Sequence, residues 1–593
     1  MRKKNTKSMK PILVILSMLL VCVGSSLSAE ERPNVIVIMS DDQGVGDYGF
    51  MGNEVIRTPA LDAMHARSGL LTKFYVSPVC APTRASLMTG RYNYRTRCVD
   101  TYLGRAMMDS DEVTLAECLR DAGYKTGIYG KWHMGDNYPL RAMDQGFQDS
   151  LVHRGGGIGQ PSDPIGAEGK YTDPVLFKNG QKVSLKGYCT DIYFDAAMDF
   201  MASSMETGNP FFTYIATNAP HGPFDDVPND LYEKYKMVDL SPLLVGPLPE
   251  KRRVKEFDKL ARIAAMITNI DDNVARLFSK LEELGITENT IVIYLNDNGP
   301  NSMRYVGDMR GMKTHVDDGG IRSPLLFHWP TKVAPNATSS KLCAHLDVLP
   351  TILDACGVPI PTSCKIDGRS FLPLLTDAEI DWPTRQVVFQ THRGNVPQPF
   401  NHFAIHEDPW KLVHPSGFGN ERIKGDPKLE LYDLANDPRQ MHDVSAEHPE
   451  TTQRLSKAYE SWFADVSSTR EDNFAPPRIV IGTDHEMETV LTRQDWRHAS
   501  GRAWAKNSNG DWLLNASESA DYEVEIILDS DQHPAGTATV MAGNLARQFE
   551  IIAGQQRGHR TTISLPKGNV KLSIELVLGE KSMGPHQVVM SRK

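Results

Sequence analysis

Two short apolar runs constrain this chain more than any other feature. Asn34-Val35-Ile36-Val37-Ile38-Met39 and Thr290-Ile291-Val292-Ile293-Tyr294-Leu295 are β-branched and show no polar alternation. Runs of that length and composition predict fully buried strands. Pro210 to Thr217, with Phe-Phe-Thr-Tyr-Ile-Ala inside it, predicts another. Helical patterns lie between them. Thr114 to Gly123 predicts an amphipathic helix ending at glycine, ahead of a further run at Tyr124-Lys125-Thr126-Gly127-Ile128-Tyr129. Lys255 to Gly285 places Leu260, Ile263, Met266, Ile270, Val274, Leu277 and Leu281 at helical spacing. Buried strands alternating with helices predict an α/β sheet. Open sheets of this kind bind ligands at the carboxyl ends of their strands. Here those ends carry Ser40-Asp41-Asp42-Gln43-Gly44 and Asn296-Asp297-Asn298-Gly299.

The chain has 593 residues, more than one such unit needs; at roughly 150 residues per domain, two to four domains are expected. The texture changes along it. Between about 385 and 470, Gln386–Gln390 and Trp410–Val413 predict strands of a smaller sheet, and His448 to Val466 a helix. Ser467 to Pro477 predicts a linker. Beyond it Tyr522–Ile526 and Val570–Leu576 alternate with period two, with turn signals such as Pro566-Lys567-Gly568 between such runs, as in a β-sandwich. The expected units are 1–29, 30–384, 385–470 and 475–593. Trp496, Trp504 and Trp512 lie near the start of the last unit, where they either stack on sugar rings or form its core; core is favoured.

Residues 1–29 are expected to be a secretory signal. Arg2, Lys3, Lys4, Lys7 and Lys10 precede an apolar stretch of about fourteen residues, Pro11 to Gly24, and the small residues Ser25 to Ala29. The stretch is shorter than the roughly 20 residues a spanning helix needs, and no later segment is long and apolar enough. Cys22 raises a lipoprotein alternative, ranked lower because Val21 is bulky. The expectation is export, periplasmic or secreted. Removing the segment takes the formal net charge from −10 to −15, which argues against nucleic acid as the main partner. Apolar content of 40% with 23% charged residues and a mean hydropathy of −0.36 suits a soluble globular chain. Of eight cysteines, Cys356 and Cys364 bracket a Pro-rich loop and are the expected disulfide. Seven remain after Cys22, so at least one stands unpaired.

Cys80-Ala81-Pro82-Thr83-Arg84 opens a predicted helix, since proline suits a first turn. A cysteine there sits where the helix dipole favours developing negative charge, with Arg84 one turn on. Asp41, Asp42, Asp297 and Asn298 form two oxygen-donor clusters at strand ends, a set suited to a hard cation. Calcium is favoured over magnesium because the protein supplies so many oxygens, and the lack of a His- or Cys-rich ligand set argues against zinc. Gly130-Lys131-Trp132-His133, Pro220-His221-Gly222-Pro223 and Gly311-Met312-Lys313 put basic groups in Gly- or Pro-marked loops. Together these would line a positive pocket for sulfate or phosphate.

These residues resemble the formylglycine-dependent sulfatases of the alkaline-phosphatase-like superfamily. The hallmark Cys-x-Pro-x-Arg is Cys80 to Arg84, continued by Ala85 to Gly90. Further matches are Asn34 to Gln43, Gly127 to His133, Ala219-Pro220-His221, Asn289 to Gly299 and Gly319 to Pro324. Downstream, Asp367-Gly368-Arg369-Ser370 and Glu430 to Leu434 also fit. The likeness covers about residues 32 to 465. It implies an alkaline-phosphatase-like mixed sheet flanked by helices, with a smaller C-terminal antiparallel subdomain; the terminal β-sandwich is additional.

The resemblance implies that a separate maturation enzyme oxidises Cys80 to formylglycine, whose hydrate supplies the nucleophile. Asp41, Asp42, Asp297, Asn298 and residue 80 would bind one calcium ion. Arg84 would hold the diol and Lys131 support its charge. Lys313 and His221 would contact the sulfate, one of them protonating the leaving oxygen, while His133 deprotonates the second hydroxyl to release sulfate. Three positions depart from the family pattern. Asn296 stands where many relatives have Ser, and Asp318-Gly319-Gly320 stands for Glu-Gly-Gly. His153-Arg154-Gly155-Gly156-Gly157-Ile158-Gly159-Gln160 occupies the place of a family Ser or similar group. His153 and Arg154 are expected to line the substrate side, the alternative being a Gly-rich surface loop. Export and the extra β-rich unit point to a sulfated carbohydrate substrate. Two other readings stay open: a phosphate or phosphonate monoester hydrolase of the same superfamily, and a non-catalytic sulfated-glycan-binding protein.

Overall fold

The structure, a computed structural model, describes residues 32–593 except 168, 247, 378, 417, 421, 473, 499–502, 555 and 556. The expected signal segment and Cys22 lie outside the described residues. Among those described, no helix is long and apolar enough to cross a membrane.

A ten-stranded mixed sheet forms the centre. Its inner strands are Thr290–Asn296, Asn34–Ser40, Phe211–Ala216, Lys125–Lys131 and Asp149–His153, side by side and parallel. Strand alternation sends Val35, Val37 and Met39 to one face and Ile36 and Ile38 to the other, and both sets are fully buried. That is why these runs carry no polar alternation. One face is covered by the helices Cys80–Thr89, Leu115–Asp121 and Val348–Ala355. The other is covered by Pro59–His65, Cys189–Glu206 and Glu250–Glu283. Thr114 caps the helix Leu115–Asp121, accepting from the Glu117 amide at 3.1 Å while Glu117 accepts from the Thr114 amide at 2.9 Å. The long helix starts five residues before the apolar pattern does. Its first turns, from Glu250 to Lys255, are exposed and offer no periodicity to read.

A four-stranded antiparallel sheet follows: Val387–Gln390, Phe403–Glu407, Trp410–His414 and Glu430–Asp433, with the helix Pro449–Ser467 packed on it. The last region forms a seven-stranded and a four-stranded sheet, almost wholly antiparallel, around one core. Tyr522, Val524 and Ile526 point inward, as do Val570, Leu572, Ile574 and Leu576. Trp496 and Trp512 are fully buried in that core and Trp504 is half-buried.

Two expectations are corrected. Cys356 and Cys364 are free thiols, like all the described cysteines. Cys356 faces the main core from the end of the helix Val348–Ala355, whereas Cys364 lies half-exposed on the following loop. The segment expected as a linker is held to the catalytic unit. Arg470 pairs with Asp111 at 2.6 Å and Glu112 at 3.0 Å, and Phe474 is buried under the Arg97 guanidinium.

Candidate active site

Ser40 and Asn296 are register partners in neighbouring parallel strands, so the two oxygen clusters leave the sheet at the same level. The Asp42 amide donates to Asp297 Oδ1 at 3.2 Å, and Asn298 Nδ2 donates to Asp42 Oδ1 at 2.8 Å. Asn296 ties the turn together, donating from Nδ2 to the Asn298 carbonyl at 3.0 Å. Asn296, which stands where many relatives have Ser, thus shapes the loop that carries Asn298.

Cys80 begins the helix Cys80–Thr89 as expected. Its Sγ lies 3.5 Å from Asp41 Oδ1 and 3.3 Å from Lys313 Nζ. One ligand atom each from Asp41, Asp42, Cys80 and Asp297 lies within 4.8 Å of all the others, and all four residues are buried. Burial and then the Asp41 carboxylate push the thiol up to about 12. Thr83, missed in the sequence, donates from Oγ1 to the Asp297 carbonyl at 2.7 Å and so joins this helix to the second cluster. Arg84 does the same from the next position. Its Nη2 and Nε donate to Asp297 Oδ2 at 2.7 and 3.2 Å, and Nη1 donates to the Lys131 carbonyl at 2.9 Å.

The basic groups converge from three segments. Lys131 ends its strand and donates to Asp41 Oδ2 at 2.5 Å. Gly130 before it has φ +114, and a Cβ there would lie 1.9 Å from the Ala216 carbonyl oxygen, so only glycine fits. Lys313 donates to Asp42 Oδ1 at 2.5 Å. Burial would raise Asp42, but Lys313 and then His221 hold it well below the usual carboxylate range. His221 Nε2 stands 3.9 Å from Asp42 Oδ2, and burial pushes its imidazole down to about 4. His133 Nε2 donates to the Thr101 carbonyl at 2.8 Å. Its Nδ1 is buried without a hydrogen-bond partner, and burial followed by Lys131 lowers the imidazole well below its ordinary value.

His153 is the register partner of Lys131 in the adjacent strand, which brings it to the same rim. Its Nδ1 donates to the Arg154 carbonyl at 2.8 Å, and Nε2 is buried and unpartnered. Arg154 is placed differently. Its guanidinium lies 4.5 Å over the Phe177 ring, in the field of Asp136 and Asp495, in the wall shared with the β-sandwich. The Gly-rich segment is no surface loop: Gly155 to Ile158 are buried. A Cβ on Gly156 would lie 2.5 Å from the His133 ring, and one on Gly157 3.1 Å from His221. The run of three glycines was the signal that a backbone passes close to something there.

Asp42 Oδ2 and Asn298 Oδ1 are buried acceptors without a donor. These two bare oxygens, with the carboxylates of Asp41 and Asp297 beside them, fit a hard cation. A nucleophile position at a helix start, a hard-cation cradle and flanking ammonium groups can together hold a tetrahedral oxyanion and displace one of its ester bonds.

The Sulfatase family matches residues 33–358, and the family described as "N-sulphoglucosamine sulphohydrolase, C-terminal" matches residues 311–464. The N-acetylgalactosamine-6-O-sulfatase of Bacteroides thetaiotaomicron is 26% identical over 77% of this chain and 99% of its own length. Human arylsulfatase A is 29% identical over 79% of this chain and 95% of its own. The crystal structure of Ps i-CgsB in complex with k-i-k-neocarrahexaose superposes with a TM-score of 0.64 at 25% identity, covering 74% of this chain and 95% of that one. The chain belongs to the sulfatase family of sulfuric ester hydrolases.

Proposed function

We propose that this protein is exported and hydrolyses sulfate esters on a sulfated carbohydrate, after a maturation enzyme has oxidised Cys80 to formylglycine and with one calcium ion bound. The convergence of Cys80 Sγ with Asp41, Asp42 and Asp297 within 4.8 Å, and of Lys313 at 3.3 Å from that sulfur, carries the reading. The substrate class draws on relatives named as an N-acetylgalactosamine-6-O-sulfatase and solved with an oligosaccharide.

Asp41, Asp42, Asp297 and Asn298 would hold the cation, which when bound screens sulfate charge and acidifies a nearby hydroxyl. Formylglycine supplies a hydrated aldehyde, one hydroxyl to attack and one to release the product. The remaining work falls to side chains in place. Arg84 and Thr83 fix Asp297 against the helix that carries residue 80. Lys131 and Lys313 surround residue 80 with positive charge and draw in the anionic group. Lys313 Nζ gives a proton to the departing alcohol oxygen, and His221 stands beside it with its Nδ1–H engaged at the Gly222 carbonyl. His133 takes one at Nδ1, since its Nε2 is engaged at Thr101. His153 Nε2, unpartnered beside Lys131, faces the substrate side.

A peptide mass spectrum across residue 80, on protein from its native host, is expected to show the aldehyde or its hydrate. Sulfate is expected to be released from sulfated glycans, and Cys80→Ala to abolish release while keeping glycan binding. Faster release from matched phosphate or phosphonate esters would replace the reading by the phosphohydrolase alternative. Binding without turnover in the fully oxidised protein would make it a glycan-binding protein.

A further inference from the structure

We propose that Gln494, in the terminal β-sandwich, is a positioning residue for the imidazole of His133. The kinetic part of this inference rests on the sulfatase reading above. After the strand Glu488–Thr492 the chain runs over the loop that holds Thr101. The Gly104 amide donates to the Gln494 carbonyl at 3.1 Å, and Arg497 donates to the Leu103 carbonyl at 2.5 Å. The Gln494 side chain is buried and its Nε2 donates to the Thr101 carbonyl at 2.7 Å. That same carbonyl receives His133 Nε2 at 2.8 Å.

A carbonyl oxygen has two lone pairs, and here each takes one donor. Because a carbonyl only accepts, Nε2 must carry the imidazole hydrogen and Nδ1 must be the bare nitrogen. Thr101 lies in a loop without helix or strand, so its carbonyl would be free to turn without the second donor. Gln494 removes that freedom from a rigid base. Met107 and Leu140 of the catalytic unit pack in the same core as Leu491 and Trp496 of the sandwich. The added domain thus reaches the catalytic base through one shared oxygen, and the tautomer of His133 is set from outside the sulfatase fold.

Gln494→Met keeps the length and removes the donor. It is expected to lower kcat on a small aryl sulfate about tenfold, a part of the roughly 10²–10⁴-fold a general base contributes, with KM within about twofold. In a His133→Ala background the same change is expected to do nothing further. Gln587→Met removes a different donor across the same interface, to the Asp163 carbonyl at 2.7 Å, and should leave kcat unchanged. Equal losses in Gln494→Met and Gln587→Met, or a full Gln494→Met effect on top of His133→Ala, would overturn the proposal. Imidazole ¹⁵N shifts of His133 need no turnover. They are expected to show the Nε2–H form in the native chain and mixed tautomers in Gln494→Met. An Nδ1–H form in the native chain overturns the inference even if the variant does not fold. Native protein that releases no sulfate would instead sink the sulfatase reading and leave the ¹⁵N result to judge Gln494.

Discussion

At the scale of single residues the site is a balance of buried charges. Asp41, Asp42 and Asp297 face Lys131, Lys313 and Arg84, all at 9% exposure or less. A divalent cation added to that set leaves net positive charge, which suits an anionic ester. Calcium titrated into chelator-treated protein is expected to raise Tm, by about 2.7 kcal/mol of stability at a hundredfold excess over Kd, with a smaller shift for magnesium. Equal or greater stabilisation by zinc would contradict the oxygen-donor reading. Gly156 offers a second residue-scale test. Its φ is not positive, so alanine suits its backbone; the obstacle is the His133 ring 2.5 Å from the new Cβ. Gly156→Ala is expected to cut kcat/KM at least about tenfold while Tm changes little. Retained activity would show that the ring moves without cost.

At the scale of elements, the short helix Asp318–Ile321 joins the two parts of the sulfatase fold. Asp318 accepts from Lys411 at 2.6 Å, Gln440 at 2.6 Å and the Tyr75 hydroxyl at 3.0 Å. Lys411 and Gln440 belong to the smaller sheet region and Tyr75 to the main one. The shorter acid at this position, unexplained in the sequence, is thus the centre of a buried junction. Asp318→Ala strands a buried ammonium and is expected to cost about 3–5 kcal/mol. Burial would raise the Asp318 carboxyl, but Lys411 and then Arg322 hold it well below the usual range. Its folded value therefore lies under its unfolded value of about 3.9. The stabilisation is complete above that pH and is lost as pH falls toward the folded value. The Tm difference between the native chain and Asp318→Asn should hold above about pH 4 and shrink steadily as pH drops below it. A constant difference would remove the carboxylate from the account.

At the scale of the molecule the β-sandwich is built into the catalytic unit. Glu486 accepts from the Tyr138 amide at 3.1 Å, and Asn137 donates to the Val490 carbonyl at 3.1 Å. With Met107 and Leu140 in its core, removal would bare apolar surface close to the His133 loop. Deleting residues 475–593 is expected to abolish turnover of a small aryl sulfate and to lower soluble yield. A truncated enzyme with native kcat on that substrate would show the sandwich to be dispensable for chemistry. Trp496 and Trp512 are consumed in the core and offer no stacking surface to a sugar.

The strands Asn34–Ser40, Lys125–Lys131, Phe211–Ala216 and Thr290–Asn296, most of the long helix, part of the period-two sheets and the oxygen clusters were legible in order along the chain, whereas Asp149–His153 and Leu325–His328 were not. The legible ones follow from local rules: burial on both faces removes alternation, and ligand loops sit at strand ends. Cys80, Asp41, Asp42, Asp297 and Lys313 could be read because motif spacing reflects the same local geometry. Other facts needed distant segments in contact. Arg84 settles on Asp297, Arg154 turns away toward Asp136, and Cys356 faces the core with no disulfide partner. Asp318 meets Lys411, and Gln494 meets Thr101 across 393 positions of chain. A side chain's hydrogen-bond partner is chosen by which surfaces pack together, and no local pattern encodes that choice.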